Sequence, residues 1–147
     1  MGYSIQTGLL VLVNAAHPIP DRRPGAMAPA LPGSEVLMDA RAAAMLTGLV
    51  SRLGAAGQIV AVSGWRSGQE QQELWDSSLR DHGKAFTEQY VAAPGCSEHQ
   101  TGLAIDLGRK QGNMDFIRPE FPYEGLCQKF RRAAARFGFV ERYPRGK

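Results

Sequence analysis

Gly102 stands between His99 and Asp106 in the run Ser97-Glu98-His99-Gln100-Thr101-Gly102-Leu103-Ala104-Ile105-Asp106. That punctuation constrains the fold more than any other feature of the chain. At a spacing of seven, two side chains share one face of a helix. A glycine followed by an apolar Leu-Ala-Ile run opposes a helix and favours a turn feeding a strand. Such a turn can fold the imidazole back over the residue at the strand's end. The plain reading is a surface histidine in a turn and an aspartate on a strand. The chemical reading is a metal, because neutral histidine nitrogen and ionised aspartate oxygen are both zinc ligands. A catalytic zinc takes three protein ligands and leaves the fourth position to water. No histidine follows Asp106 before Lys147, so a third ligand of that type is missing downstream.

The 147 residues are enough for one domain with a single core. Hydrophobic residues make up 44% and charged residues 21%, which is a globular rather than a disordered balance. The formal net charge of +3 is mild, and Arg22, Arg23, Arg131, Arg132, Arg142, Arg145 and Lys147 are scattered. A nucleic-acid surface would cluster its charge on one face, so no nucleic acid is expected. The apolar run at residues 8–13 has no preceding Lys or Arg and is short for a signal peptide. No run approaches the roughly 20 apolar residues of a membrane span. A cytoplasmic protein is the default expectation, and the sequence does not set an oligomeric state. Cys96 and Cys127 are too few for a disulfide framework and read as reduced, small core residues.

Along the chain, residues 9–13 read as a buried strand. Residues 18–34 carry Pro18, Pro20, Pro24, Pro29 and Pro32 with interspersed glycines, which predicts an extended excursion over the surface, rimming a pocket, rather than a helix. Ser34 is placed to cap a long helix running to Leu53, with Val36, Ala40, Ala43, Ala44, Leu49, Val50 and Leu53 as its apolar stripe. Gly54 and Gly57 end it. Ile59-Val60-Ala61-Val62 predicts a strand, and residues 63–68 turn the corner. A second helix over residues 69–81 buries Leu74, Trp75 and Leu79, and Gly83 stops it. Residues 103–107 form a short strand carrying Asp106. A third helix covers residues 124–137, with Leu126, Phe130, Ala134 and Phe137 inward. Residues 139–143 alternate as a half-buried strand. The expected fold is α+β: a small antiparallel sheet with helices packed against it, and the metal site in a cleft at the strand ends.

Four segments in order carry a family resemblance. They are Ser97-x-His99-x-x-Gly102-x-Ala104-x-Asp106; Ser63-Gly64-Trp65-Arg66-Ser67 with Glu70-Gln71-Gln72; Tyr90-Val91-Ala92-Ala93-Pro94-Gly95-Cys96; and Asp115-Phe116-Ile117-Arg118-Pro119 leading to Phe137-Gly138-Phe139-Val140-Glu141-Arg142-Tyr143. The chain resembles the zinc D,D-peptidases of vancomycin resistance, a family of D-Ala-D-Ala dipeptidases, D,D-carboxypeptidases and bifunctional enzymes. It looks most similar to the bifunctional branch. The resemblance implies one zinc ion, with His99 and Asp106 as two of its three ligands. It implies that Arg66 stabilises the charge developing on the scissile carbonyl oxygen, and that Gln71 and Ser97 lie near the bound dipeptide. The implied substrates are D-Ala-D-Ala and peptidoglycan precursors ending in it, whose loss would confer glycopeptide resistance.

The chain also departs from the pattern. In the family a Glu-x-Trp-His segment, one hairpin beyond the Phe-Gly-Phe strand, supplies the third zinc histidine and the glutamate base. This sequence stops at Arg145-Gly146-Lys147. The expectation is therefore a single domain over residues 1–147 that lacks a C-terminal portion. Glu98 and Glu141 are not at the family's base position, and His17 and His82 read as an entrance residue and the end of an exposed helix. An inactive fragment, a stem-peptide binding module or a related peptidoglycan endopeptidase are the alternatives.

Overall fold

The computed structural model describes residues 16, 25–110 and 119–142. The strand expected at residues 9–13, His17, residues 18–24 of the proline-rich excursion, Asp115 through Arg118 and Tyr143 lie outside the described residues. Within them the architecture is α+β, as expected: helices with small antiparallel sheets.

The described end of the proline-rich stretch is a hairpin strand. Strand β1 (Met27–Pro29) pairs antiparallel with β2 (Leu37–Asp39), in the register Met27 to Asp39 and Pro29 to Leu37. Pro32 and Gly33 sit at the turn, where Ser34 N–H donates to the Leu31 carbonyl at 3.0 Å and Gly33 takes φ +80°. Proline followed by a positive-φ glycine is the chemistry of a type II turn. Ala30 and Leu31 are buried in the core, so this part of the excursion does not merely wrap the surface.

The long helix starts five residues later than the sequence pattern suggests. Ser34 Oγ accepts from Val36 N–H at 3.1 Å and closes a local turn instead of capping a helix. The apolar Val36-Leu37-Met38 run is taken by the hairpin with β1, where β-branched and bulky residues pack on the strand face. Helix α1 (Ala40–Arg52) is capped by Asp39, whose carboxylate accepts from Arg41 N–H at 3.0 Å and Ala42 N–H at 3.2 Å. It buries Ala43, Leu46, Leu49 and Val50, while Ala44 of the expected stripe is exposed. The core gathers these residues with Ala30, Leu31, Met38, Ala55, Ile59 and Phe130.

Strand β3 (Ile59–Ser63) pairs antiparallel with β4 (Asp106–Arg109), from Ile59 opposite Arg109 to Ser63 opposite Asp106, with a bulge between Ala61 and Ser63. The fourth strand thus begins at Asp106 instead of spanning residues 103–107. Gly102 explains the shift: its carbonyl is taken by Asp39 N–H at 2.7 Å, on the edge of β2 away from β1. The backbone there is satisfied by β2 and joins β3 only afterwards.

Helix α2 (Gly68–Tyr90) follows a capping-box spacing, with Ser67 Oγ accepting from Glu70 N–H at 3.1 Å. Gly83 breaks the helix, at φ 81° and ψ 174°, but the helix resumes beyond it. The chain folds back there, because Ser78 Oγ and Thr87 Oγ1 meet at 2.7 Å, and a straight helix would hold residues nine apart about 13 Å apart. This buries Ser78 and Thr87 rather than Leu79, which is 37% exposed, while Leu74 and Trp75 are half-buried.

Helix α3 (Gly125–Ala134) and a 3-10 turn (Ala135–Phe137) match the third expected helix, and Phe130 and Cys127 are its buried residues. The expected strand after them is absent among the described residues. Val140 is 91% exposed, and residues 139–142 belong to neither described sheet. The segment is held by Phe139 N–H, which donates to the Ala134 carbonyl at 3.0 Å, and by ion pairs of Glu141 with Arg131 at 3.1 Å and of Arg142 with Glu98 at 3.0 Å. No described helix is long and apolar enough to cross a membrane.

Asp39 gives a test of this frame. The Arg41 side chain beside it, helped by the Arg41 and Ala42 N–H groups and opposed by burial, holds its carboxyl below the usual carboxylate range. Asp39→Ala should cost about 1 kcal/mol in urea unfolding at pH 7. A folded-state pKa below the unfolded one stabilises fully above the unfolded value, about 4, and is lost as pH falls through the folded value. The gap between wild type and variant should therefore shrink toward pH 3.

Candidate metal centre

Two turns meet to build the site. One leaves β3 as Gly64-Trp65-Arg66. The other is the 3-10 turn Glu98–Thr101, opened by Ser97 and closed by Gly102 at φ 78°. They clasp each other twice. Arg66 N–H donates to the His99 carbonyl at 3.1 Å, and His99 Nδ1 lies 2.8 Å from the Gly64 carbonyl. A carbonyl oxygen only accepts, so Nδ1 carries the proton. Nε2 of the neutral ring is then a lone pair, the form that binds a metal.

That lone pair faces a carboxylate. His99 Nε2 and Asp106 Oδ2 are 3.3 Å apart, with the His99 side chain 14% and the Asp106 side chain 40% exposed. Two bare acceptors at this distance repel unless a proton or a cation lies between them. Two ligand atoms of a tetrahedral zinc, each about 2.0–2.2 Å from the ion, stand about 3.3–3.5 Å apart. The pair fits zinc in donor type and spacing.

Arg66 lies beside it and is 8% exposed. One guanidinium nitrogen, Nη1, donates to Gln71 Oε1 at 2.6 Å, and Nη2 donates to Ser63 Oγ. Burial pulls its pKa down, while the negative charges of Asp106 and Glu70 push it back up. A guanidinium remains charged throughout. Gln71 is 1% exposed, and its Nε2 donates to the Ala92 carbonyl at 2.6 Å. Ser97 is buried and its Oγ accepts from His99 N–H at 3.2 Å. The tertiary structure thus brings Arg66, Gln71, Ser97, His99 and Asp106 into one neighbourhood.

The remaining candidates are engaged elsewhere. Glu98 is paired with Arg142, and Glu141 accepts from Arg131 and Tyr123. His82 is exposed and its ring lies 4.5 Å from that of Phe86. Cys96 and Cys127 are free thiols, and burial pushes the Cys127 thiol pKa up, away from the thiolate that binds metal. Among the described residues no group of three His, Cys, Asp or Glu side chains is gathered for a metal ion.

Sequence reasoning gave no role to Gly64, Ser63 or Gln100. Gly64 supplies the carbonyl that fixes the His99 tautomer, and it sits where a Cβ would collide with the Leu37 carbonyl oxygen and lie 2.7 Å from Val36 Cγ1. Its signal was a glycine directly after a β-branched strand, the usual mark of close backbone approach. Gln100, buried, accepts from Gly95 N–H at 2.7 Å and pins the loop before the turn that carries His99. Backbone carbonyls such as those of Ala92 and Gly64 carry no sequence signature.

Residues 35–147 match the family model for VanY, D-alanyl-D-alanine carboxypeptidase. The chain is 38% identical over 141 residues to the bifunctional D-Ala-D-Ala dipeptidase and D-Ala-D-Ala carboxypeptidase VanXYC of Enterococcus gallinarum, covering 94% of this chain and 74% of that protein. Among solved structures it is similar to the vancomycin resistance D,D-dipeptidase VanXYg in complex with a D-Ala-D-Ala phosphinate analog. The TM-score is 0.91 at 47% identity, over 96% of this chain and 57% of that one. It is also similar to a variant of the D,D-pentapeptidase VanY from the VanB-type resistance cassette in complex with Zn(II). There the TM-score is 0.68 at 28% identity, over 93% of this chain and 78% of that one. The chain therefore spans little more than half the length of the VanXYg chain.

Gly64→Ala should lower the melting temperature and cost about 1–3 kcal/mol, since β2 must move to admit the methyl group. A variant as stable as wild type would show that this approach is not tight.

Proposed function

The chain belongs to the VanY D-alanyl-D-alanine carboxypeptidase family, and from that premise we propose that it carries the substrate and metal face of a zinc D,D-peptidase. Its substrates are D-Ala-D-Ala and peptidoglycan precursor peptides that end in it, and their cleavage removes the terminus that glycopeptide antibiotics bind. The observation that carries this reading is the His99–Asp106 pair, tautomer-fixed and spaced for one zinc ion, beside a buried guanidinium.

Each residue has a role that follows from its setting. His99 and Asp106 hold the zinc ion. Bound zinc supplies Lewis acidity toward a carbonyl oxygen and lowers the pKa of water toward neutrality. Arg66 directs its fixed positive charge at the carbonyl oxygen as negative charge develops there, and it needs no reorganisation because its side chain is buried and gripped. Ser97 receives the His99 N–H at its oxygen and keeps its hydroxyl proton for the dipeptide. Gln71, expected near the dipeptide, is instead buried against Arg66 and the Ala92 carbonyl. Among the described residues no third His, Cys, Asp or Glu joins the pair, so this reading assigns the third ligand and the general base to residues outside them. General-base help is worth about a hundredfold to ten-thousandfold. That incomplete set also supports a second reading, a module that binds D-Ala-D-Ala stems without cutting them.

D-alanine release from D-Ala-D-Ala, measured with and without added zinc in protein of verified mass, separates the two readings. Turnover lost to a chelator and regained with zinc is expected for the peptidase. Binding without release would favour the module. Arg66→Ala should cut turnover by about a hundredfold or more, and a rate near wild type would remove that role. Asp106→Ala should release zinc, and unchanged metal content would strike Asp106 from the ligand set.

A further inference from the structure

Gln71 is too deeply buried for an ordinary binding-pocket side chain. It is 1% exposed, so almost no surface remains for a ligand to touch. Both ends of its amide are spent on the protein. The orientation is fixed by the partners: the Arg66 guanidinium only donates, so it must face Oε1 at 2.6 Å, and the Ala92 carbonyl only accepts, so it must face Nε2 at 2.6 Å. A glutamine is one of few side chains able to satisfy both. A carboxylate would put an acceptor against the Ala92 carbonyl, and an aliphatic residue would remove both hydrogen bonds.

The geometry points to Gln71 as a positioning residue: with Ser63 it fixes the Arg66 guanidinium, and through Ala92 it ties that guanidinium to the loop that delivers Ser97 and His99. Gln71 anchors the first turn of α2, just after the Ser67 cap, on a helix face whose position is set by the rest of the fold. Ser63 closes β3 opposite Asp106, after the bulge. Two rigid elements therefore grip the two terminal nitrogens of one side chain. The Ala92 carbonyl lies between α2 and Gly95, which Gln100 pins from the other side. Arg66 and the metal turn are thereby held in one frame. Gln71 acts on the reaction through Arg66 and makes no contact with the dipeptide. This rests on the role of Arg66 given under Proposed function.

A double-mutant cycle in the intact, zinc-loaded protein tests it. Wild type, Gln71→Met, Arg66→Ala and the double variant are compared for kcat and KM on D-Ala-D-Ala, for bound zinc and for melting temperature. Methionine keeps the length and volume of glutamine and removes both hydrogen bonds. Gln71→Met should lower kcat by about tenfold to a hundredfold, as misplacement of a reacting group does, with KM within a factor of about three and zinc retained. The double variant should be no slower than Arg66→Ala alone. A raised KM with kcat preserved would mean that Gln71 touches substrate, and effects that multiply in the double variant would mean that it acts independently of Arg66. Either result overturns the inference. If Arg66→Ala itself turns over near the wild-type rate, the oxyanion assignment fails; a slow Arg66→Ala beside an unaffected Gln71→Met sinks only the positioning role. Should the methionine variant not fold, Gln71→Ala is read by the same criteria.

Discussion

The double clasp between the turn after β3 and the turn at Ser97 is the contact on which the rest of the site depends. Gly64 gives its carbonyl to the His99 ring, and His99 gives its carbonyl to Arg66 N–H. The His99 tautomer and the backbone from which the Arg66 guanidinium extends are thereby set by one pair of hydrogen bonds. The clasp is itself suspended from β2. On the edge away from β1, the Leu37 carbonyl accepts from Trp65 N–H at 2.6 Å, and Asp39 N–H donates to the Gly102 carbonyl at 2.7 Å. A strand edge that would otherwise expose unpaired groups is used to hang both site turns at a fixed separation.

Burying Arg66 carries a desolvation cost that must be offset locally. The offset comes from hydrogen bonds to Gln71 and Ser63 and from the nearby negative charges of Asp106 and Glu70. The arrangement suits a charge that must stay fixed while another charge develops opposite it, because a preorganised donor loses nothing to reorientation. The same economy is visible at His99, where the ring is held by a backbone carbonyl rather than by a mobile side chain.

Periodicity identified α1, β3, α2 and α3 because each carries its own local signal, and it misjudged their limits where tertiary pairing competes. Val36-Leu37-Met38 fits a helical stripe as well as a strand. The hairpin wins because the Pro32-Gly33 turn presents β1 as a partner. Leu79 fits an inward position on a straight helix, but the fold-back at Gly83 turns a different face inward. Residues 139–142 alternate like a strand but form none among the described residues, since alternation alone does not supply a strand partner. At the site, the side chains that bear chemistry were legible by type and order. Their supports were not, because Gly64 and Ala92 act through carbonyls that every residue possesses.

The sequence by itself determined which groups are available: an imidazole and a carboxylate flanking a turn glycine, an arginine in a turn after a β-branched strand, and a motif order that identifies the family. Those are local properties, fixed by residue identity and spacing. Only the tertiary structure decided that Nε2 of His99 lies 3.3 Å from Asp106 Oδ2, and that Gln71 faces Arg66 instead of solvent. Those distances depend on strand register, on a bulge and on a bare glycine admitting the edge of β2. They are set by long-range pairing, which no window of sequence contains.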